Sequence, residues 1–104
     1  MSVLIAHCSC PDAETAARIA RQLVEERLAA CVQVIPDVMS TYRWQDVVRT
    51  DTEALLVIKT TRARFDALKL RLPALHPYKL PELVAVDAVD GLAPYLAWVE
   101  TETQ

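Results

Sequence analysis

A single glycine, Gly91, occurs in the 104 residues. Loops that cradle phosphates need several, so a P-loop or dinucleotide-binding fingerprint is excluded. Three cysteines are an odd number with no disulfide framework, which places the chain in a reducing compartment, the cytoplasm. Lys and Arg number 11 against 14 Asp and Glu, a net charge of −3, whereas a nucleic-acid surface is usually basic. No apolar run approaches the ~20 residues of a membrane span, and Met1-Ser2-Val3 lacks the basic start of a signal peptide. Neither nucleic acid nor membrane is therefore expected as a partner. No internal repeat, linker or low-complexity stretch divides the chain, and its length suits one domain over residues 1–104.

What is present centres on the stretch from Cys31 to Lys59. Val32, Val34 and Val38 alternate with Gln33 and Asp37, the period of a half-buried strand. Pro36 should bulge or bend it. Ala54 to Ile58 is apolar at every position, the pattern of a strand covered on both faces. Between them a polar bend is expected, giving a hairpin whose first arm, Cys31 to Trp44, would reach about 45 Å at ~3.3 Å per residue. A small domain covers such a ribbon poorly, so another copy of the chain should pack on its outer part, with Trp44 a natural anchor at the arm's end.

Around the hairpin, Val3 to Cys8 reads as a buried strand. Cys10-Pro11-Asp12 marks a helix start, with Pro11 in the first turn, and Ala16, Ile19, Ala20, Leu23, Val24 and Leu28 make one apolar stripe to Leu28. Thr60-Thr61 can cap a second helix carrying Phe65, Leu68, Leu72 and Leu75, which Pro73 should end or kink. The segment from His76 to Glu82 is a stiff two-proline loop, and Leu83 to Val86 a fourth strand. Asp90-Gly91 opens a last helix with Leu92, Leu96 and Val99 inward and Tyr95 and Trp98 beside them. The order β-α-β-β-α-β-α predicts an α+β fold: a ferredoxin-like split βαβ sandwich with a long β-hairpin and an extra C-terminal helix.

Among groups able to carry chemistry, Cys8-Ser9-Cys10 stands out, because soft thiolates suit Cu(I) or Zn and Cys10 is expected at a helix N-terminus that favours a thiolate. Strand four should start where strand one ends, which brings His76 toward Cys8 and Cys10. Cys31 begins the parallel strand two, and a helix of about 17 residues would put it ~25 Å from Cys10. One subunit could not close a site from all three thiols. His7, on an apolar strand, reads as a core residue. Glu53, Lys59 and Glu82 flank apolar strands and could line a cleft, or pair structurally. Lys59 and Glu82 fall at opposite ends of one sheet, so a cleft using both would lie between subunits. An enzyme using His76, Lys59 and Glu82 as acid–base groups is a further reading, without a recognisable catalytic set.

These residues also carry a family resemblance. Ala29-Ala30-Cys31-Val32, Ser40-x-Tyr42-x-Trp44, Glu53 with Lys59-Thr60-Thr61, His76-Pro77-Tyr78 with Pro81-Glu82, and Tyr95-Leu96-x-Trp98 follow the order of the CutA divalent-cation-tolerance family across nearly the whole chain. The resemblance implies ferredoxin-like subunits in a tight homotrimer joined through extended hairpins, similar to nitrogen-regulatory signalling trimers. It implies copper or another divalent metal as ligand and a role in metal tolerance, with no organic cofactor. On it, Cys8, Cys10, Cys31 and His76 are the candidate metal ligands, and Trp44, Glu53, Lys59, Tyr78, Glu82 and Trp98 the candidate cleft and interface residues. A signalling or adaptor trimer binding a small metabolite or anion is the alternative. Two departures stand out. Members often carry Gly in the bend after the Trp where this chain has Gln45-Asp46, which predicts a longer loop there. Some carry a Cys in the second helix where Arg71 and Leu72 stand.

Overall fold

A computed structural model describes residues 2–104. Its elements run β1 (Val3–Cys10), α1 (Ala13–Glu25), β2 (Cys31–Trp44), β3 (Val47–Thr61), α2 (Arg62–Leu75), β4 (Val84–Asp87) and α3 (Ala93–Glu102). The strands form one sheet in the order β2-β3-β1-β4 with every neighbouring pair antiparallel. β1 and β2 are thus parallel with β3 between them, the split βαβ plan expected from the sequence.

Side chains alternate across a strand, and that alternation sorts the sheet into two faces. Leu4, Ala6, Cys8 and Cys10 of β1 and Ala54, Leu56 and Ile58 of β3 are buried. All but Leu4 share one core with Ile19 and Leu23 of α1 and Leu68 and Leu72 of α2. The other face is only partly covered. There α3 packs Val99 and Leu96 against Val3 and Ala30, while Leu55 and Val57 stay half-buried. The central run Ala54 to Ile58 is therefore covered on one face, not on both. Val84, Val86, Ile35, Tyr95 and Trp98 are exposed, and so is His7. His7 is a surface residue of the open face rather than a core one, because its odd position on β1 turns it away from the helices.

α1 begins one residue later than expected. Asp12 is its N-cap, with Oδ1 accepting the Thr15 N–H at 2.7 Å, so Pro11 precedes the helix instead of opening it. It also ends sooner, at Glu25 rather than Leu28. Arg27 takes φ 58°, its N–H bonds Val24 O at 3.1 Å, and the Leu28 N–H reaches Leu23 O at 2.9 Å. This is a Schellman ending, in which the buried Leu28 packs back onto the core beside Leu23. Leu28 keeps the helical spacing of apolar residues without being helical. α2 passes through Pro73 in its last turn and stops at Leu75. Leu92 precedes α3 and lies exposed rather than inward.

From Val38 onward the hairpin runs in unbroken register to its tip. Trp44 pairs with Val47, and the connection is two residues, Gln45 (φ 49°) and Asp46 (φ 65°), both left-handed as a type I′ turn requires. The longer loop expected for want of glycine does not form. Pro36 and Asp37 make the anticipated bulge, opposite Ala54, with Asp37 at φ 59°. β1 pairs with β3 only from Ala54 onward, so Val38–Trp44 and Val47–Glu53 form a bare two-stranded ribbon that extends the molecule to 44 Å. Thr41 and Thr50 share a hydroxyl hydrogen bond across it at 3.0 Å, and the Tyr42 hydroxyl donates to Asp51.

Two outcomes follow from these features. Asp46→Gly relieves a left-handed side chain and should stabilise the protein by about 0.5–1 kcal/mol, read as a higher denaturation midpoint at unchanged slope. An unchanged or lower midpoint would show that the turn carries no such strain. The second concerns acid. Bidentate contacts from Arg71, the closest at 2.8 Å, and a hydrogen bond from Gln22 hold the Glu26 carboxyl below its ordinary value. A depressed carboxylate pKa contributes stability that is present at neutral pH and lost as pH falls below about 4.5. Melting temperatures between pH 6 and pH 3 should therefore fall less steeply for Glu26→Gln than for the parent. Parallel curves would contradict the ion pair's role.

Candidate functional site: a buried thiol pair beside an open cleft

Cys8 and Cys10 stand two apart on β1, so strand geometry points both toward the helices, where both are fully buried. α2 ends directly before His76, whose ring comes to rest against the same strand end. One donor atom each from Cys8, Cys10 and His76 lies within 4.8 Å of the other two. The Cys8 thiol donates to the Ser9 carbonyl at 3.7 Å and keeps its proton, its pKa raised chiefly by the neighbouring Cys10 thiol and by burial. The neighbouring Cys8 thiol in turn lowers the pKa of Cys10. The thiolate character expected of Cys10 thus comes from Cys8, because α1 starts only at Ala13 and Cys10 closes the buried strand. Glu82 and Glu53 raise the Cys8 pKa further. A negative field that opposes a bare thiolate equally favours a cation between the sulfurs. Two buried soft donors in such a field fit a thiophilic metal ion.

His76 is held from two sides. Its Nε2 lies 2.8 Å from the Ser9 carbonyl, and its Nδ1 accepts the Tyr78 N–H at 3.0 Å. The Tyr78 ring sits 4.8 Å from the imidazole, centroid to centroid, and its hydroxyl donates to the buried Glu53 carboxylate at 2.5 Å. Burial and this bond push the Tyr78 phenol well above its ordinary value.

Beside Tyr78 opens a cleft of about 840 Å³ that runs along the ribbon from Glu53 to Trp44. Trp44, Glu53, Tyr78 and Glu82 all line it, within one chain. Lys59 lies elsewhere, its Nζ donating to Gln33 Oε1 at 2.9 Å, and Trp98 stacks near Tyr95 on α3, at 5.6 Å. Cys31 pairs in register with Lys59, apart from the other two thiols. The cleft also holds Ser9 and Tyr42, and two residues that the sequence reading did not single out, Arg49 and Lys79. Among the described residues neither Arg49 nor Lys79 forms an ion pair. Arg49 could have been found by placing it on a strand; assigned to a loop, it had no face.

Comparison with known proteins agrees with this architecture. A family profile described as CutA1 divalent ion tolerance protein matches residues 4–102. The chain is 50% identical over 93 residues to the divalent-cation tolerance protein CutA of Thermus thermophilus, covering 89% of this chain and 90% of that one. It is 41% identical over 103 residues to human protein CutA, covering 99% of this chain but 58% of the human one. The chain spans a similar share, under two thirds, of the mouse and frog relatives. The crystal structure of CutA from Xylella fastidiosa superposes with a TM-score of 0.96 at 47% identity, covering 100% of both chains. With the fold, the profile and these relatives in agreement over almost its whole length, the chain belongs to the CutA1 divalent ion tolerance family.

Proposed function

We propose that this chain is a metal-binding protein of divalent-cation tolerance, not an enzyme, that its ligand is copper or another divalent metal, and that copper is held through Cys8 and Cys10. The observation that carries the reading is the buried Cys8–Cys10–His76 group. Buried thiols are commonly inert core residues, but two on one strand face with an imidazole against them form a donor set. The name of the relative from Thermus thermophilus, a divalent-cation tolerance protein, supports a role in metal tolerance. Three unpaired thiols favour a reducing compartment and hence the cytoplasm.

Assembly as a homotrimer belongs to the same reading. The bare ribbon leaves strand edges unpaired, and the open sheet face presents Ile35, Val84, Val86, Tyr95 and Trp98. Copies related by closed symmetry would cover both. A second reading rests on the cleft, whose Arg49 and Lys79, in no ion pair among the described residues, suit a small anion or metabolite bound by a signalling trimer. Thermal shift against a panel of small anions tests it, since a bound ligand raises the melting temperature by mass action.

Competition with a chromogenic Cu(I) chelator tests the metal reading. Cys10→Ser should weaken Cu(I) binding at least tenfold and more than Cys31→Ser, because Cys31 lies outside the group. A larger loss from Cys31→Ser would move the site to a junction between subunits. Light scattering at micromolar concentration should give three times the chain mass; a monomer would refute the trimer.

A further inference from the structure

His76 reaches the thiol pair with both nitrogens already engaged. A carbonyl oxygen has no proton to give, so the 2.8 Å contact with Ser9 O makes Nε2 the N–H donor. Nδ1 accepts a backbone N–H at 3.0 Å and carries no proton. The ring is therefore fixed as one neutral tautomer. To ligate a metal it would have to give up one of these two backbone contacts, of which the Ser9 carbonyl also receives the Cys8 thiol at 3.7 Å. The topology explains the first of these bonds. β4 pairs with β1 only from Leu4 to His7, and beyond its reach the imidazole takes up the Ser9 carbonyl.

The donor count points the same way. A divalent ion in a closed site wants four ligands, and the group ends at three among the described residues. Glu53, the carboxylate acting most strongly on the Cys10 thiol, is held by the Tyr78 hydroxyl at 2.5 Å. The two sulfurs lie within 4.8 Å of one another, near enough for a single ion with metal–thiolate bonds of ~2.3 Å to meet both.

Resting on the reading that Cys8 and Cys10 hold the metal, we propose that the site takes a soft monovalent ion, Cu(I) or its analogue Ag(I), between the two thiolates alone, and that His76 is the latch of the site, not its third ligand. Both thiols are fully buried, so an ion enters only when something moves. What must move is the segment that follows α2: His76 hooked to Ser9, Tyr78 tilted against His76, and the Tyr78 hydroxyl anchored on Glu53. Releasing that anchor frees the latch without touching either sulfur. Tyr78 and Glu53 then act as positioning residues that set the rate of exchange, and the cleft they line shares its wall with the metal site.

The test uses the full chain loaded with Cu(I) and, as a redox-inert check, Ag(I). X-ray absorption of the Cu(I) protein should show two sulfur neighbours and no nitrogen. His76→Gln and Tyr78→Phe should each hold Cu(I) within about threefold of the parent affinity while handing it to a chelator at least tenfold faster. Tyr78→Phe keeps the ring and serves if His76→Gln folds poorly. Zn(II) should bind at least a thousandfold more weakly than Cu(I). A nitrogen neighbour, a tenfold loss of affinity in His76→Gln, unchanged transfer rates in both variants, or a tightly held Zn(II) would each overturn the latch. Failure of the underlying reading looks different: the doubly substituted Cys8→Ser, Cys10→Ser protein would retain Cu(I) binding, and the latch would fall with it.

Discussion

Two strands in the middle of the sheet, β1 and β3, must each serve a closed side and an open side, and the two-residue period of a strand decides which side chain goes where. In β1 the even positions from Leu4 to Cys10 go under α1 and α2, and the odd positions Ile5, His7 and Ser9 turn the other way. The core, the thiol pair and the unfilled face are consequences of that one alternation. A slip of one residue in the β1–β3 register would expose both thiols and bury His7. Leu56 opposite Cys8 and Ala54 opposite Cys10 hold the register, because their own burial depends on it.

That arrangement explains why the element order and the sheet plan were legible from the sequence. Ile19 and Leu23, Leu68 and Leu72, and the valines of β2 carry strong periodic signals. Where the reading went astray, a local signal was shared by two structures. Leu28 continues the helical spacing of α1, yet packs into the core from a Schellman ending at Arg27. His7 lies in an apolar run that looks like a strand buried on both sides, when among its odd positions only Val3, under α3, is buried. Gln45 and Asp46 carry no glycine to announce a tight turn, and both adopt positive φ all the same.

The candidate site was half legible for the same kind of reason. Cys8, Cys10 and His76 could be brought together from strand directions alone, since β1 must end where β4 begins. How His76 is engaged could not be read, because it depends on where β4 stops pairing and on the backbone of Tyr78. Arg49 was lost from the cleft once the bend was thought to be long. Its position is meaningful only when the ribbon is known to run in register to Trp44 and Val47.

The single residue between the two thiols has a bearing on oxidation. Along an extended strand, residues two apart have Cα atoms about 6.6 Å apart and parallel Cβ directions. A disulfide needs Cβ atoms at roughly 3.5–4.5 Å that lean toward each other. Joining Cys8 to Cys10 would require β1 to buckle at Ser9, in the stretch where it pairs with Leu56, Leu55 and Ala54. The strand therefore acts as a rigid spacer that keeps its two sulfurs near and uncoupled. An oxidant that readily closes flexible dithiols finds here a pair whose backbone resists closure.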